Sequence, residues 1–110
     1  MIKLKPTLKI MQLITTTPII DLGNVKSGTS VNFTFNITNN GIQPITVGVR
    51  ASCGCTKPIL ERTKMGPLEC QEGKGTFKAS KNLGRIQNKT VTVTDNQGSN
   101  LIIKLTGNVI

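Results

Sequence analysis

Polar and apolar positions alternate along this chain in short runs. The clearest is Val31-Asn32-Phe33-Thr34-Phe35-Asn36-Ile37-Thr38, in which Val31, Phe33, Phe35 and Ile37 alternate with Asn and Thr. A period of two puts one set of side chains on a dry face and the other in water, which predicts a strand. Asn39-Asn40-Gly41 then ends the run with residues that tolerate positive φ. The same parity returns in Ile45–Val49, Gly75–Ser80, Lys89–Thr94 and Leu101–Thr106. Carried beyond Val49, it puts Ala51, Cys53 and Cys55 on the inner face. Pro18–Gly23 reads as a short edge strand, where one N–H goes unpaired in any case. Asp95-Asn96-Gln97-Gly98 reads as a hairpin turn, and Asn82–Arg85 as a turn through Gly84. Between Lys57 and Gly73 the period is lost among Pro58, Gly66 and Pro67. That stretch reads as a long connection with one short strand near Leu68–Cys70, and Glu69 and Glu72 then flank a glycine-rich turn.

Short strands with regular turns and no amphipathic helix predict an all-β chain, an immunoglobulin-like β-sandwich of about seven strands. A chain of 110 residues suffices for one such core without a metal or a disulfide. Residues 15–110 form this domain, and residues 1–14 form an extended N-terminal arm. Ile2, Leu4, Leu8 and Ile10 share one parity of the arm; Lys3, Lys5 and Lys9 share the other. An arm with an apolar and a basic side suits strand addition to this domain or to a neighbouring chain.

Charge changes the picture of partners. Fourteen Lys and Arg against five acids give a net charge of +9, which favours polyanions or acidic protein surfaces. The cations are scattered and no aromatic residues are interleaved, so a base-stacking platform for single strands is not available. A purely solvated, solubilising charge is an equal reading. The candidate interaction residues are Lys3, Lys5, Leu8, Lys9, Ile10, Lys57, Arg62 and Lys64. The chain has no His, which removes the commonest general base, the usual partner of a nucleophile and the commonest metal ligand. The expectation is therefore a non-enzyme with no catalytic residues, cofactor, metal or small-molecule substrate. The basic start breaks at Pro6 and Lys9 and no small-residue cleavage site follows, so the expected location at synthesis is the cytoplasm. No run approaches the roughly 18 apolar residues of a membrane span, and none is expected to insert.

Cys53, Cys55 and Cys70 are the reactive residues to weigh. Structural zinc takes four ligands, and here three thiols face no His. Cys53-Gly54-Cys55 has neither a His nor a helix N-terminus to lower a thiol pKa, which speaks against a redox pair. A disulfide from Cys70 to Cys53 or Cys55 is an alternative. The preferred reading makes Cys53 and Cys55 small, buried core residues at a strand end.

A wider series of motifs adds to this. Pro18–Val25, Gly28, Phe33–Ile37 with Asn39-Asn40-Gly41, Ser52-Cys53-Gly54-Cys55-Thr56-Lys57-Pro58, the Glu72-Gly73-Lys74-Gly75 turn, Gly84 and Leu105–Val109 follow one another in order. Together they resemble a bacterial domain-of-unknown-function family marked by Ser-Cys-Gly-Cys-Thr, similar to Hydin-type (ASH) and major-sperm-protein-like immunoglobulin folds. The resemblance spans about Thr15 to Ile110. It implies a seven-stranded sandwich for binding and assembly, with Ser52, Cys53, Gly54, Cys55 and Thr56 as structural residues. The sequence departs from the family in lacking an export signal, in its Glu72-Gly73-Lys74 turn, in Cys70 at an aliphatic position and in the basic arm.

The function expected is a structural or interaction module of a large assembly, most concretely a bacteriophage virion component that decorates a capsid or joins a tail or neck. A cytoplasmic polyanion-binding module and an envelope-associated adhesion domain are the alternatives. Protein partners, engaged through the arm, are expected in the first case.

Overall fold

The computed structural model describes residues 13–110, so the expected arm contacts at Lys3, Lys5, Leu8, Lys9 and Ile10 lie outside the described residues. Ten strands follow in order: β1 (Leu13–Ile14), β2 (Ile19–Val25), β3 (Ser30–Asn39), β4 (Ile45–Ala51), β5 (Thr56–Leu60), β6 (Lys64–Met65), β7 (Cys70–Lys78), β8 (Gly84–Arg85), β9 (Lys89–Asp95) and β10 (Asn100–Val109). Three of them, β1, β6 and β8, have two residues each, which leaves the seven longer strands of the expected immunoglobulin-like sandwich. One sheet has the order β1-β3-β7-β5; the other has β2-β10-β9-β4-β6, with β8 also on β10. β2 runs parallel to β10 at the sheet edge, so Pro18 lies just outside the ladder and its carbonyl accepts from the Lys104 N–H at 2.8 Å.

The alternation decides which faces meet. Phe33, Phe35 and Ile37 of β3 and Phe77 of β7 are buried from one sheet. Ile45 and Val47 of β4, Val91 and Val93 of β9, and Ile103 and Leu105 of β10 are buried from the other. The polar partners of each run, such as Asn32, Thr34 and Lys104, stay exposed. Leu13 and Met65 are fully buried and complete the core from the short strands. Leu13 and Ile14, assigned to the arm by the sequence pattern, pair with Asn39 and Thr38, so the sandwich takes in the end of that segment.

The spacing of β3 and β7 rests on two glycines. Phe33 lies opposite Gly75 and Phe35 opposite Gly73. A Cβ on either glycine would overlap the ring that faces it. The glycines leave bare backbone, and the rings fill the space. This corrects the expected Glu72–Gly75 turn, because the segment is the interior of a nine-residue strand. It also corrects the expected Lys57–Gly73 connection, which contains β5, β6 and the start of β7. Pro58 is accommodated because β5 is an edge strand. Leu68 is in a positive-φ turn rather than a strand.

Two polar side chains, Asn39 and the half-buried Asp95, close one end of the sandwich. Asn39 is fully buried, and its Nδ2 donates to the carbonyls of Gln43 at 2.8 Å and Gly66 at 2.9 Å, while its Oδ1 accepts from the Gly41 N–H at 3.0 Å. Asp95 Oδ1 accepts from the N–H groups of Gln97 and Ser99 and shapes the β9–β10 turn. At the other end β10 shifts register between Thr106 and Asn108, which lets its last residues pair with both β2 and β8.

Gly73→Ala is expected to cost about 1–3 kcal/mol by overpacking, and Phe35→Ala about 3–5 kcal/mol by leaving a cavity. In the double variant the new methyl enters space that the ring has vacated. Urea unfolding should then show a double-variant loss smaller than the sum by more than about 0.5 kcal/mol. Strict additivity would contradict the ring-on-glycine contact.

Candidate functional site

β4 ends at Ala51 in one sheet and β5 begins at Thr56 in the other, so Ser52–Cys55 crosses between the sheets. The crossing lies at the end of the sandwich where β7 finishes at Lys78 and β9 starts at Lys89. Both of its flanks are fixed. The Ser52 N–H donates to the Thr90 carbonyl at 3.0 Å. Ser52 Oγ accepts from the Thr90 N–H at 3.0 Å and donates to the Asn88 carbonyl at 3.3 Å. On the other flank the Lys78 N–H donates to the Cys55 carbonyl at 2.8 Å, and Thr56 is buried.

Cys53 and Cys55 are joined to each other in a disulfide. Both are half-buried, which corrects the reading of them as buried core thiols. Parity carries past Val49 only along a straight strand; the chain instead turns at Ser52, which leaves both cysteines partly exposed and Cys55 packed on the edge of the core. Cys70 is free and exposed. It opens β7 opposite Thr38, whereas Cys55 adjoins the last residues of that strand, so the length of β7 keeps Cys70 from either partner. The family-motif residues therefore divide: Ser52 and Thr56 anchor, Gly54 is the exposed tip, and Cys53 and Cys55 form the bridge. A three-residue loop closed by a disulfide gains only about 1.5 kcal/mol from unfolded-chain entropy, against about 3 kcal/mol for a fifteen-residue loop.

Two open grooves meet at the bridge. One, of about 510 Å³, is lined by Gly54 and Cys55 with Lys57, Lys78 and Lys81. The other, of about 320 Å³, is lined by Cys53 and Cys55 with Lys78, Arg85 and Lys89. No Asp or Glu lines either groove. Asp21 sits in an adjoining depression with Arg85 and Lys104. Glu69, Glu72 and Asp95 lie toward the opposite end, near the start of β7 and the β9–β10 turn. The sandwich is thus polarised, with its cysteine-bearing end positive.

The residues expected to make contacts do not form one patch. Lys57 rims the first groove. Arg62 is at the other end, 3.6 Å from Glu69 and donating to the Cys70 carbonyl at 3.0 Å. Lys64 lies on β6, paired with Thr46 of β4. Lys78, Lys81, Arg85 and Lys89 lie in one short stretch, from the end of β7 to the start of β9, where no alternation marks a shared face. The available signal was positional: all four flank strand ends that the pairing brings beside Ser52–Cys55. Among the described residues no group of three or more metal-ligating His, Cys, Asp or Glu side chains forms.

A family model described as "Protein of unknown function (DUF1573)" matches residues 13–109. The chain belongs to the DUF1573 family. The DUF1573 match takes in the whole Ser52–Thr56 crossing and both grooves. Solved structures of similar fold include the ASH/PapD-like domain 7 of human CEP192, with 12% identity over 100% of this chain and 94% of that one, at a TM-score of 0.71. A C. elegans major-sperm-protein family member, WR4, is 10% identical over 92% of this chain and 100% of its own, at a TM-score of 0.64. A Bacteroides ovatus GH5 xyloglucanase is 16% identical over 89% of this chain but 19% of its own, at 0.58. No curated protein matches the chain. These likenesses establish the immunoglobulin-like fold that the DUF1573 chain shares with ASH and major-sperm-protein domains.

Ser52→Ala removes the hydroxyl that serves the Thr90 N–H and, at this exposed site, should cost about 0.5–1.5 kcal/mol. Hydrogen exchange at the Thr90 amide is expected to accelerate while the Phe33–Ile37 amides stay protected. Unchanged exchange at Thr90 would contradict the anchoring role.

Proposed function

We propose that this chain is a non-catalytic interaction module of a multi-subunit assembly, seated on an acidic protein surface by its cysteine-bearing end. The observation that carries the reading is the pair of grooves edged by Lys57, Lys78, Lys81, Arg85 and Lys89 with no acid in their lining. Like charges gathered from separate strands repel one another, and an acidic partner relieves that cost while being steered toward the site. A rigid sandwich suits such docking, since the contact needs little reordering of either partner. All three Phe are buried, so no aromatic platform stands in the grooves to stack nucleic-acid bases. That favours an acidic protein over single-stranded nucleic acid. A bacteriophage particle, with the chain as a capsid decoration or a tail or neck subunit, remains the setting proposed from the sequence.

The test uses poly-L-glutamate and single-stranded DNA as probes at low ionic strength. The triple variant Lys81→Glu, Arg85→Glu, Lys89→Glu should bind poly-L-glutamate at least about tenfold more weakly than the unmodified chain. Arg62→Glu with Lys64→Glu, at the opposite end, should change affinity by less than about twofold. Equal losses in the two variants would refute the location, and tight binding to DNA with none to poly-L-glutamate would refute the partner class.

A further inference from the structure

We propose that the Cys53–Cys55 bridge is a thiol-exchange site that takes small thiols bearing carboxylates. Architecture does not require the bond. It joins residues two apart within one crossing and ties no two strands together. The crossing is already held by Ser52 on Thr90 and by Cys55 on Lys78. Opening the bridge therefore leaves both flanks in place.

Access and charge point the same way. Both sulfurs belong to residues that line an open groove, and that groove carries Lys78, Arg85 and Lys89 without an acid. Thiolates are the reacting species in exchange, and neighbouring cations stabilise them. A His or a helix N-terminus commonly performs that service; here the cations of β7, β8 and β9 do so. The same cations raise the local concentration of a carboxylate-bearing thiol. The two sulfurs differ as well. Thr56 Oγ1 lies 3.7 Å from Cys55 Sγ, so its hydroxyl can donate to a thiolate on Cys55. This makes Cys55 the leaving sulfur and Cys53 the one attacked.

The exchange runs as two displacements. The thiolate of the incoming thiol attacks Cys53 Sγ and forms a new sulfur–sulfur bond. The Cys53–Cys55 bond breaks, and Cys55 departs with the electron pair and takes up the proton that the incoming thiol released. A second thiol molecule attacks the sulfur of the first and releases Cys53, which is protonated in turn. Two thiols are oxidised to one disulfide, and Cys53 and Cys55 are reduced to a dithiol. Each chain accepts one electron pair, so the step is stoichiometric.

The test follows loss of the bridge by alkylation and mass spectrometry in the full chain carrying Cys70→Ser. Reduced glutathione, an anionic thiol, is compared with cysteamine, a cationic one, at equal thiolate concentration. At low ionic strength glutathione is expected to react about tenfold faster, and high salt should shrink the advantage to about twofold. Arg85→Glu with Lys89→Glu should reverse the preference. In Cys55→Ser with Cys70→Ser, glutathione disulfide should form an adduct on Cys53. Equal rates for the two thiols at low salt would overturn the proposal, as would a bridge that yields only after denaturation. The salt comparison needs no charge variant, so misfolding of the Glu variants does not weaken it.

Discussion

The structure depends on two phenylalanine rings lying over bare backbone. Phe33 and Phe35 face Gly75 and Gly73 across β3 and β7, and neither glycine could carry a side chain without displacing its ring. The contact is a register lock as well as packing. A slip of one residue would bring the rings against Glu72, Lys74 or Thr76 and turn the inward set toward water. The pairing from Ser30 opposite Lys78 to Thr38 opposite Cys70 is therefore fixed as a unit.

That lock reaches the cysteine-bearing end through β5. Thr56 pairs with Phe77, so the start of β5 is set by the finish of β7. Ser52 is set independently by β9 on the opposite sheet. A short crossing held at both flanks has little freedom, and its two cysteines stand at the rim with the cations of β5, β7, β8 and β9 around them. Position and charge at this end both follow from core packing, with no dedicated loop needed to build the site.

The sequence revealed most where alternation was chemically plain. Phe and Ile against Asn and Thr exposed β3, and Val against Thr exposed β9. β5 and the first half of β7 were hidden because, apart from Leu60, their inward positions are Thr56, Pro58, Gln71, Gly73 and Gly75, none of which looks like a core residue alone. Gly73 and Gly75 become legible only once Phe35 and Phe33 are known to face them. The bridge is illegible for a different reason: alternation carries past Val49 only along a straight strand, and β4 stops at Ala51. Four of the five cations fall within Lys78–Lys89, but only the pairing of β5 and β7 brings that stretch beside Lys57 and the cysteines, whereas Arg62 and Lys64, close in sequence to Lys57, lie at the far end.

The central claim is that a locked core presents one chemically distinct end, and that the state of this end can change without disturbing the core. Amide NMR spectra of the oxidised and reduced chain test this most directly. The account predicts shifts confined to Ser52–Thr56, Lys78–Lys89 and their immediate partners, with Phe33–Ile37, Gly73 and Gly75 unmoved. Shifts spread through β3 and β7, or collapse of dispersion on reduction, would contradict it.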